Sequence, residues 1–292
     1  MTDATRQTVP DVHGREPSGF GVNFGRQRRG KTSGAVMAEE FQRTAQFHGA
    51  SFRESDLFGL AVRDSDLREA RIASSWVDGM RITGFDGAAG SLFVDDVEVS
   101  AFVAAELDRR HPERVQLRAA TTADDLRAMW PMLKGLWAQT KERAEALPES
   151  VRNERVDGEW SFVETLRHLI FGIDSWVGVM LTDPPEPYHR LGLAPTDFSD
   201  EDSAALGLDR SARPGYAEVV EALDAQWARV DAVLAALTDT DLEQLRTGSL
   251  GVGEEPETVT VAHCIGVVLR EHTEHRRFAE RDLGLLASRG IE

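Results

Sequence analysis

From Phe47 onward one large apolar residue recurs at every fifth position: Phe47, Phe52, Leu57, Val62, Leu67, Ile72, Val77 and Ile82. Neither the α-helix nor the β-strand produces a period of five, and at 41% hydrophobic content one chosen phase fills by chance only about once in a thousand. Two residues before each centre stand Ala45, Ala50, Ser55, Leu60, Ser65, Ala70, Ser75 and Met80, most of them small. One large and one small inward side chain per repeat lets the chain turn a corner every five residues, so that four repeats close one square coil with a filled interior. Eight repeats make two coils.

Ser55-Asp56-Leu57 and Ser65-Asp66-Leu67 come nearest to the pattern Ala-Asp/Asn-Leu-x-x. On these residues the segment resembles the pentapeptide-repeat family, which implies a short right-handed quadrilateral β-helix. Leu60 and Met80 depart from the pattern and imply a locally wider coil. Some members of that family imitate duplex DNA. Two coils at strand spacing rise only ~10 Å, the height of about three base pairs, which is too short for such mimicry. Leu92 and Val97 keep the five-residue phase, while Asp95-Asp96 between Phe93-Val94 and Val97-Glu98-Val99 also reads as a hairpin turn. A third, irregular coil and a hairpin both remain open at this point.

Ahead of the repeat lies a leader rich in Gly, Ser, Thr and Arg without an apolar period. It contains Gly25-Arg-Gln-Arg-Arg-Gly30-Lys31-Thr32, the letters of a phosphate-binding loop, but such a loop requires a parallel sheet and a Mg²⁺-coordinating carboxylate on a later strand, and only about ten residues separate Thr32 from a region of different period. A solvated basic segment is expected. Behind the repeat, residues 102–111 predict a short helix before Pro112. The organisation expected is a flexible leader over 1–40, a β-coil with a trailing strand or hairpin over 41–101, a connector with a short helix over 102–120, and an all-α four-helix bundle over 121–292.

Charge narrows the function classes. Thirty-three Lys and Arg against fifty Asp and Glu give a formal charge of −17, so most of the surface repels phosphate and nucleic-acid binding is excluded as a general role. No window approaches the ~18 consecutive apolar residues of a membrane span, and the start of the sequence lacks the layout of a secretory signal. Cys264 is the single cysteine, which precludes an intramolecular disulfide. A cytoplasmic setting without membrane contact is expected.

After Thr121 the period becomes helical. Leu126, Met129, Trp130, Leu133, Leu136, Trp137 and Thr140 form one stripe, which continues to about Ala146 before Pro148. Ser161-Phe-Val-Glu164 is a capping box that opens a second helix, predicted to run to about Leu181 before Pro184-Pro185. A third follows Pro214 with Val219, Leu223, Trp227 and Val230 on one side. A fourth begins near Val259 and carries Ile265, Val268, Leu269, Phe278 and Leu283. A long crossover, Thr182 to Ala212, separates the second helix from the third.

Bundles build metal sites from side chains on facing helices. His168 lies on the stripe Thr165, His168, Leu169, Gly172, Trp176 of the second helix, while Glu271 and His275 stand one turn apart on the fourth. His272 and His275, three apart, form a second pair. One histidine and a Glu/His pair would give three ligands with positions left open, as in catalytic zinc sites. The bland reading is a surface ion pair on one helix and a partly exposed His168 beside Arg167 on the other. His263 reads as a core residue or a neighbour of the ligands, Cys264 as an inert small hydrophobe, and His189 as a structural crossover residue or a cover over the site mouth.

The run Glu159-Trp-Ser-Phe-Val-Glu-Thr-Leu-Arg-His168-Leu-Ile, taken with Arg270-Glu271-x-x-x-His275-Arg-Arg-Phe-Ala-Glu-Arg-Asp282-Leu, resembles the DinB superfamily of metal-binding four-helix bundles over roughly Thr121 to Leu286. The resemblance implies His168, Glu271 and His275 as ligands of a divalent ion, zinc or nickel, with His272 as an alternative ligand. It also implies a metal-dependent thiol S-transferase in which a low-molecular-weight thiol such as mycothiol or bacillithiol attacks a small-molecule electrophile. Two other readings stay beside it. In one, the protein is a non-catalytic interaction module whose coil binds a partner protein or a second copy. In the other, the same ligands serve a metal-dependent hydrolase.

Overall fold

The computed structural model describes residues 40–63, 65–75, 77–82, 90–253 and 255–289. These fall into two units that divide between Ala61 and Val62. The leader up to residue 39, with its phosphate-loop letters, lies outside the described residues.

Within the repeat the period appears as turns. Ala50, Leu60, Ala70 and Met80 donate their backbone N–H to the carbonyls of Phe47, Leu57, Leu67 and Val77, three residues back, at 2.9–3.0 Å. The third residue of each turn, Gly49, Gly59, Glu69 or Gly79, has φ between 64° and 78°, the left-handed geometry of a type II turn. Glycine fills three of these four positions because it alone adopts that φ without a Cβ penalty. The structural repeat is therefore ten residues, two sequence repeats long. No strand occurs among the described residues of 41–82, so the expected β-helix is not seen. The eight centres stay 42–63% exposed. With these side chains left uncovered, the segment gains little from apolar burial.

The ambiguity at 92–99 resolves as a hairpin. Strands β1 (Phe93–Val94) and β2 (Val97–Glu98) pair antiparallel, with Val94 opposite Val97. Asp95 and Asp96 both have positive φ, 47° and 62°, the pattern of a type I′ turn. Helix α1 (Ser100–Arg110) follows, tied back by Ser100 Oγ, which accepts from Leu92 N–H and donates to the Gly90 carbonyl. A second connector helix not foreseen from the sequence, α2 (Glu113–Ala119), docks through ion pairs. Arg114 pairs with Glu274, and the buried Glu113 carboxylate lies 3.4 Å from Arg276.

Helix α3 (Ala123–Glu145) begins at a capping box formed by Thr122 and Asp125. After the short α4 (Glu149–Arg152), α5 (Phe162–Ile173) begins at the capping box of Ser161 and Glu164. The second helix, predicted to run to about Leu181, does reach Thr182, but its last part, Asp174–Thr182, winds as a π-helix. The crossover contains α6 (Asp200–Ala205) and leads to α7 (Tyr216–Ala236) and α8 (Asp239–Leu242). Strands β3 (Leu245–Gly248) and β4 (Glu257–Thr260) then form an antiparallel pair that helical periodicity did not reveal. This pairing takes Val259 and Thr260, so α9 runs from Val261 to Arg289. Helices α5 and α3 each pack against both α7 and α9. The core between them holds Trp130, Leu133, Trp137, Leu166, Ile170, Leu223, Ile265 and Leu269, all nearly inaccessible. No helix among the described residues is long and apolar enough to cross a membrane.

Where α5 gives way to the π-winding, Asp174 is fully buried. Its carboxylate accepts from the His189 backbone N–H at 2.8 Å and from Arg229 at 2.9 Å, joining crossover, α5 and α7. Burial pushes this carboxyl up to about 7, against the pull of those two donors. A raised carboxyl makes the folded protein hold a proton that the unfolded chain releases above its ordinary value near 4. The Asp174 contribution to bundle stability is therefore expected to fall as pH rises from about 4 to 7, by an order of a few kcal/mol, and then to level off, while the buried His168 and His272, lowered by burial, contribute a slope of opposite sign. Urea midpoints measured across that window should therefore fall more, or rise less, with pH in the wild type than in Asp174→Asn. Equal slopes would refute the assignment.

Candidate metal centre

The Ser161 cap fixes the first turn of α5: Ser161 N–H donates to Glu164 Oε2 at 2.9 Å and Glu164 N–H donates to Ser161 Oγ at 3.3 Å. Starting from there, His168 comes two turns along, where the apolar stripe faces the bundle interior, and it is only 8% exposed. Glu271 and His275 stand one turn apart on α9 and remain partly open, with side chains 29% and 20% exposed. Glu271 Oε2 lies 3.3 Å from His168 Nε2 and 3.0 Å from His275 Nε2. One ligand atom from each of the three residues falls within 4.8 Å of the others, and among the described residues this is the one such grouping of three or more His, Cys, Asp or Glu side chains.

The chemistry of this donor set fits a cation. His168 Nδ1 lies 3.1 Å from the Leu193 carbonyl, an acceptor that places the ring proton on Nδ1. Burial draws the His168 imidazole below its ordinary value, against the pull of the Glu271 carboxylate toward the protonated ring, and so favours the neutral ring. Its Nε2 then directs a lone pair at a carboxylate oxygen. Burial opposes ionisation of Glu271, yet the two imidazoles hold its carboxyl well below the usual carboxylate range. A negative oxygen facing an imidazole lone pair is stabilised by a positive charge between them, and oxygen and imidazole nitrogen are both donors that zinc and its neighbours accept.

Aromatic rings wall the group. Trp160, just before the Ser161 cap, lies 4.4 Å from the His168 ring and 5.9 Å from that of His275, centroid to centroid. Phe171 is 6.1 Å from His168 and Phe278 is 6.3 Å from His275. Rings at these distances exclude water from one side of the ligand atoms and strengthen electrostatic interactions there. In the sequence Trp160 stands within the run Glu159 to Ile170 with no role of its own assigned. Its position before a cap that orients a histidine two turns later was the available signal.

The other singled-out residues take different roles. His272 is 1% exposed, and both of its ring nitrogens are engaged. Nδ1 lies 2.7 Å from the Val268 carbonyl, and Nε2 accepts from Trp227 Nε1 at 3.0 Å. Burial lowers it to about 4. The structure thus does not bring it into the converging group. His263 packs its ring against Trp176. The buried Cys264 thiol is pushed up to about 11 by burial, which removes it as a nucleophile at neutral pH. His189 serves the crossover, with its Nδ1 accepting from Leu191 N–H. Arg167, given no role of its own in the sequence, is 1% exposed, and His168 beside it is buried, contrary to the reading of a partly exposed histidine.

Residues 132–279 match the family model described as the DinB superfamily, half of the 292-residue chain and a span that includes all three converging side chains. No curated protein and no solved structure matches the chain.

Proposed function

Since the chain belongs to the DinB superfamily, whose domains bind divalent metals, we propose that His168, Glu271 and His275 hold a divalent ion, zinc first and nickel second, and that the protein is a thiol S-transferase. The observation that carries this reading is the convergence of the three donors, one ligand atom from each within 4.8 Å of the others. A bound divalent ion supplies one thing, a lowered pKa for a thiol beside it, so that a thiolate exists at neutral pH. The chain's residues do the rest. Leu193 fixes the ring proton of His168 on Nδ1, Trp160 and Phe278 keep water off one side, and the partial exposure of Glu271 and His275 leaves an approach for small molecules.

The sole cysteine is buried and protonated, so the sulfur comes from a low-molecular-weight thiol such as mycothiol or bacillithiol, and the acceptor is an electrophilic small molecule. We read the segment 41–82 as a pentapeptide-type coil offering a contact face to a partner protein or a second copy. The support for it is the ten-residue spacing of its turns.

The activity test offers the metal-loaded protein an alkylating electrophile with and without a small thiol. Consumption that requires thiol, yields the thioether and rises at least tenfold over the uncatalysed rate is expected. Hydrolysis of the electrophile without thiol would replace transfer by metal-dependent hydrolysis at the same three residues, and no turnover of either kind would leave a non-catalytic module.

A further inference from the structure

Arg167 buries a full guanidinium beside the candidate ligand His168 and directs its donors to the crossover. Nε donates to the Leu191 carbonyl at 2.9 Å, Nη1 to that of Ala212 at 2.8 Å, and Nη2 to that of Asp209 at 2.6 Å. In return the Arg167 backbone carbonyl accepts from Leu193 N–H at 3.0 Å. Leu191 and Leu193 are thus fastened on both sides of Gly192 to one residue of α5. The carbonyl of that same Leu193 meets His168 Nδ1. Taking a guanidinium out of water is costly unless its donors are all used in good geometry, and a planar fork reaches three separate carbonyls where an ammonium does not.

We propose that Arg167 is a positioning residue for the candidate metal centre: by strapping residues 191–212 onto α5 it holds the Leu193 carbonyl against Nδ1 of His168, which keeps that ring in the tautomer whose Nε2 lone pair faces Glu271 and His275. The value of this strap to a metal rests on the reading given under Proposed function. The tautomer itself does not. Partners that orient a ligand histidine in this way change metal affinity about 10- to 100-fold when removed. Gly192 offers an independent handle, because a Cβ there would meet Leu208 Cδ2 at 3.1 Å and the His189 carbonyl at 3.2 Å. Gly192→Ala therefore displaces the strap while Arg167 stays intact.

The experiment uses full-length protein labelled with ¹⁵N at histidine. In the metal-free wild type, the His168 resonances are expected to show the Nδ1–H form. In Arg167→Lys they should shift to a mixture of tautomers, and zinc affinity measured by competition with a chromophoric chelator should fall about 10- to 100-fold while the helical circular dichroism is kept. If Arg167→Lys fails to fold, Gly192→Ala decides the question, with the same shift expected to a smaller extent. A folded variant with the wild-type tautomer overturns the proposal. Wild-type protein that binds no zinc overturns the metal reading instead, and the tautomer comparison then decides the role of Arg167 on its own.

Discussion

Full-length protein purified without chelator is expected to carry about one divalent ion per chain by elemental analysis, and His168→Ala none. His168 is the buried member of the group and the one that comes from a different helix. Without it, Glu271 and His275 are a half-exposed pair one turn apart on α9, a two-donor arrangement that water competes with readily. The affinity should fall at least ~100-fold, equivalent to roughly 3 kcal/mol. His272→Asn separates the two ligand sets considered from the sequence, because a site built on His168, His272 and His275 would lose its ion in that variant too. With both His272 nitrogens engaged elsewhere, the asparagine variant is expected to lose stability and retain the ion. Retention of the ion by His168→Ala would sink the assignment and leave the pair on α9 as an ordinary surface contact.

The parts of this site legible in the sequence were those set by local rules. A capping box at Ser161 fixed where α5 starts, the helical stripe placed His168 inward, and four-residue spacing put Glu271 above His275. The rotation of α9 was not legible. Neighbouring helical positions point ~100° apart, so Glu271 and His272 face different partners, and only packing against α3 and α7 decides which of them turns toward α5. The role of Arg167 was hidden for a related reason. A charge beside a histidine looks solvated when only its own helix is considered, and its three carbonyl acceptors come from Leu191, Asp209 and Ala212, far downstream. No local pattern encodes that.

The fold divides in the same manner. The five-residue period was plain, but whether it makes an enclosed coil depends on layers that eight short repeats do not supply, and its centres are exposed. The pair β3 and β4 escaped notice because each strand has only four residues and the connection between them is rich in glycine. The type I′ turn at Asp95-Asp96 was visible as one of two options, and the left-handed backbone of both aspartates selects it.

The rotation of α9 leads to the second large effect. Trp137 on α3 is 0% exposed, and its Nε1 donates to the His272 carbonyl at 3.0 Å. Trp130 meets the His272 ring edge-on at 5.0 Å, and Trp227 donates to Nε2 from α7. Three indoles from two helices thus surround His272, the neighbour of Glu271 that points away from the converging group, and by holding it they turn Glu271 and His275 toward His168. Trp137→Ala is expected to cost about 3–5 kcal/mol, the range for removing a fully buried aromatic, read as a lowered urea midpoint by far-ultraviolet circular dichroism. Trp137→Phe keeps most of the apolar volume and loses the indole donor, so its cost should be nearer 1–2 kcal/mol. A Trp137→Ala cost below about 1 kcal/mol would mean that α9 is oriented by contacts other than this cluster. A large loss of stability in the alanine variant, with zinc affinity preserved in the phenylalanine one, would place the orienting force in the packed volume and not in the hydrogen bond.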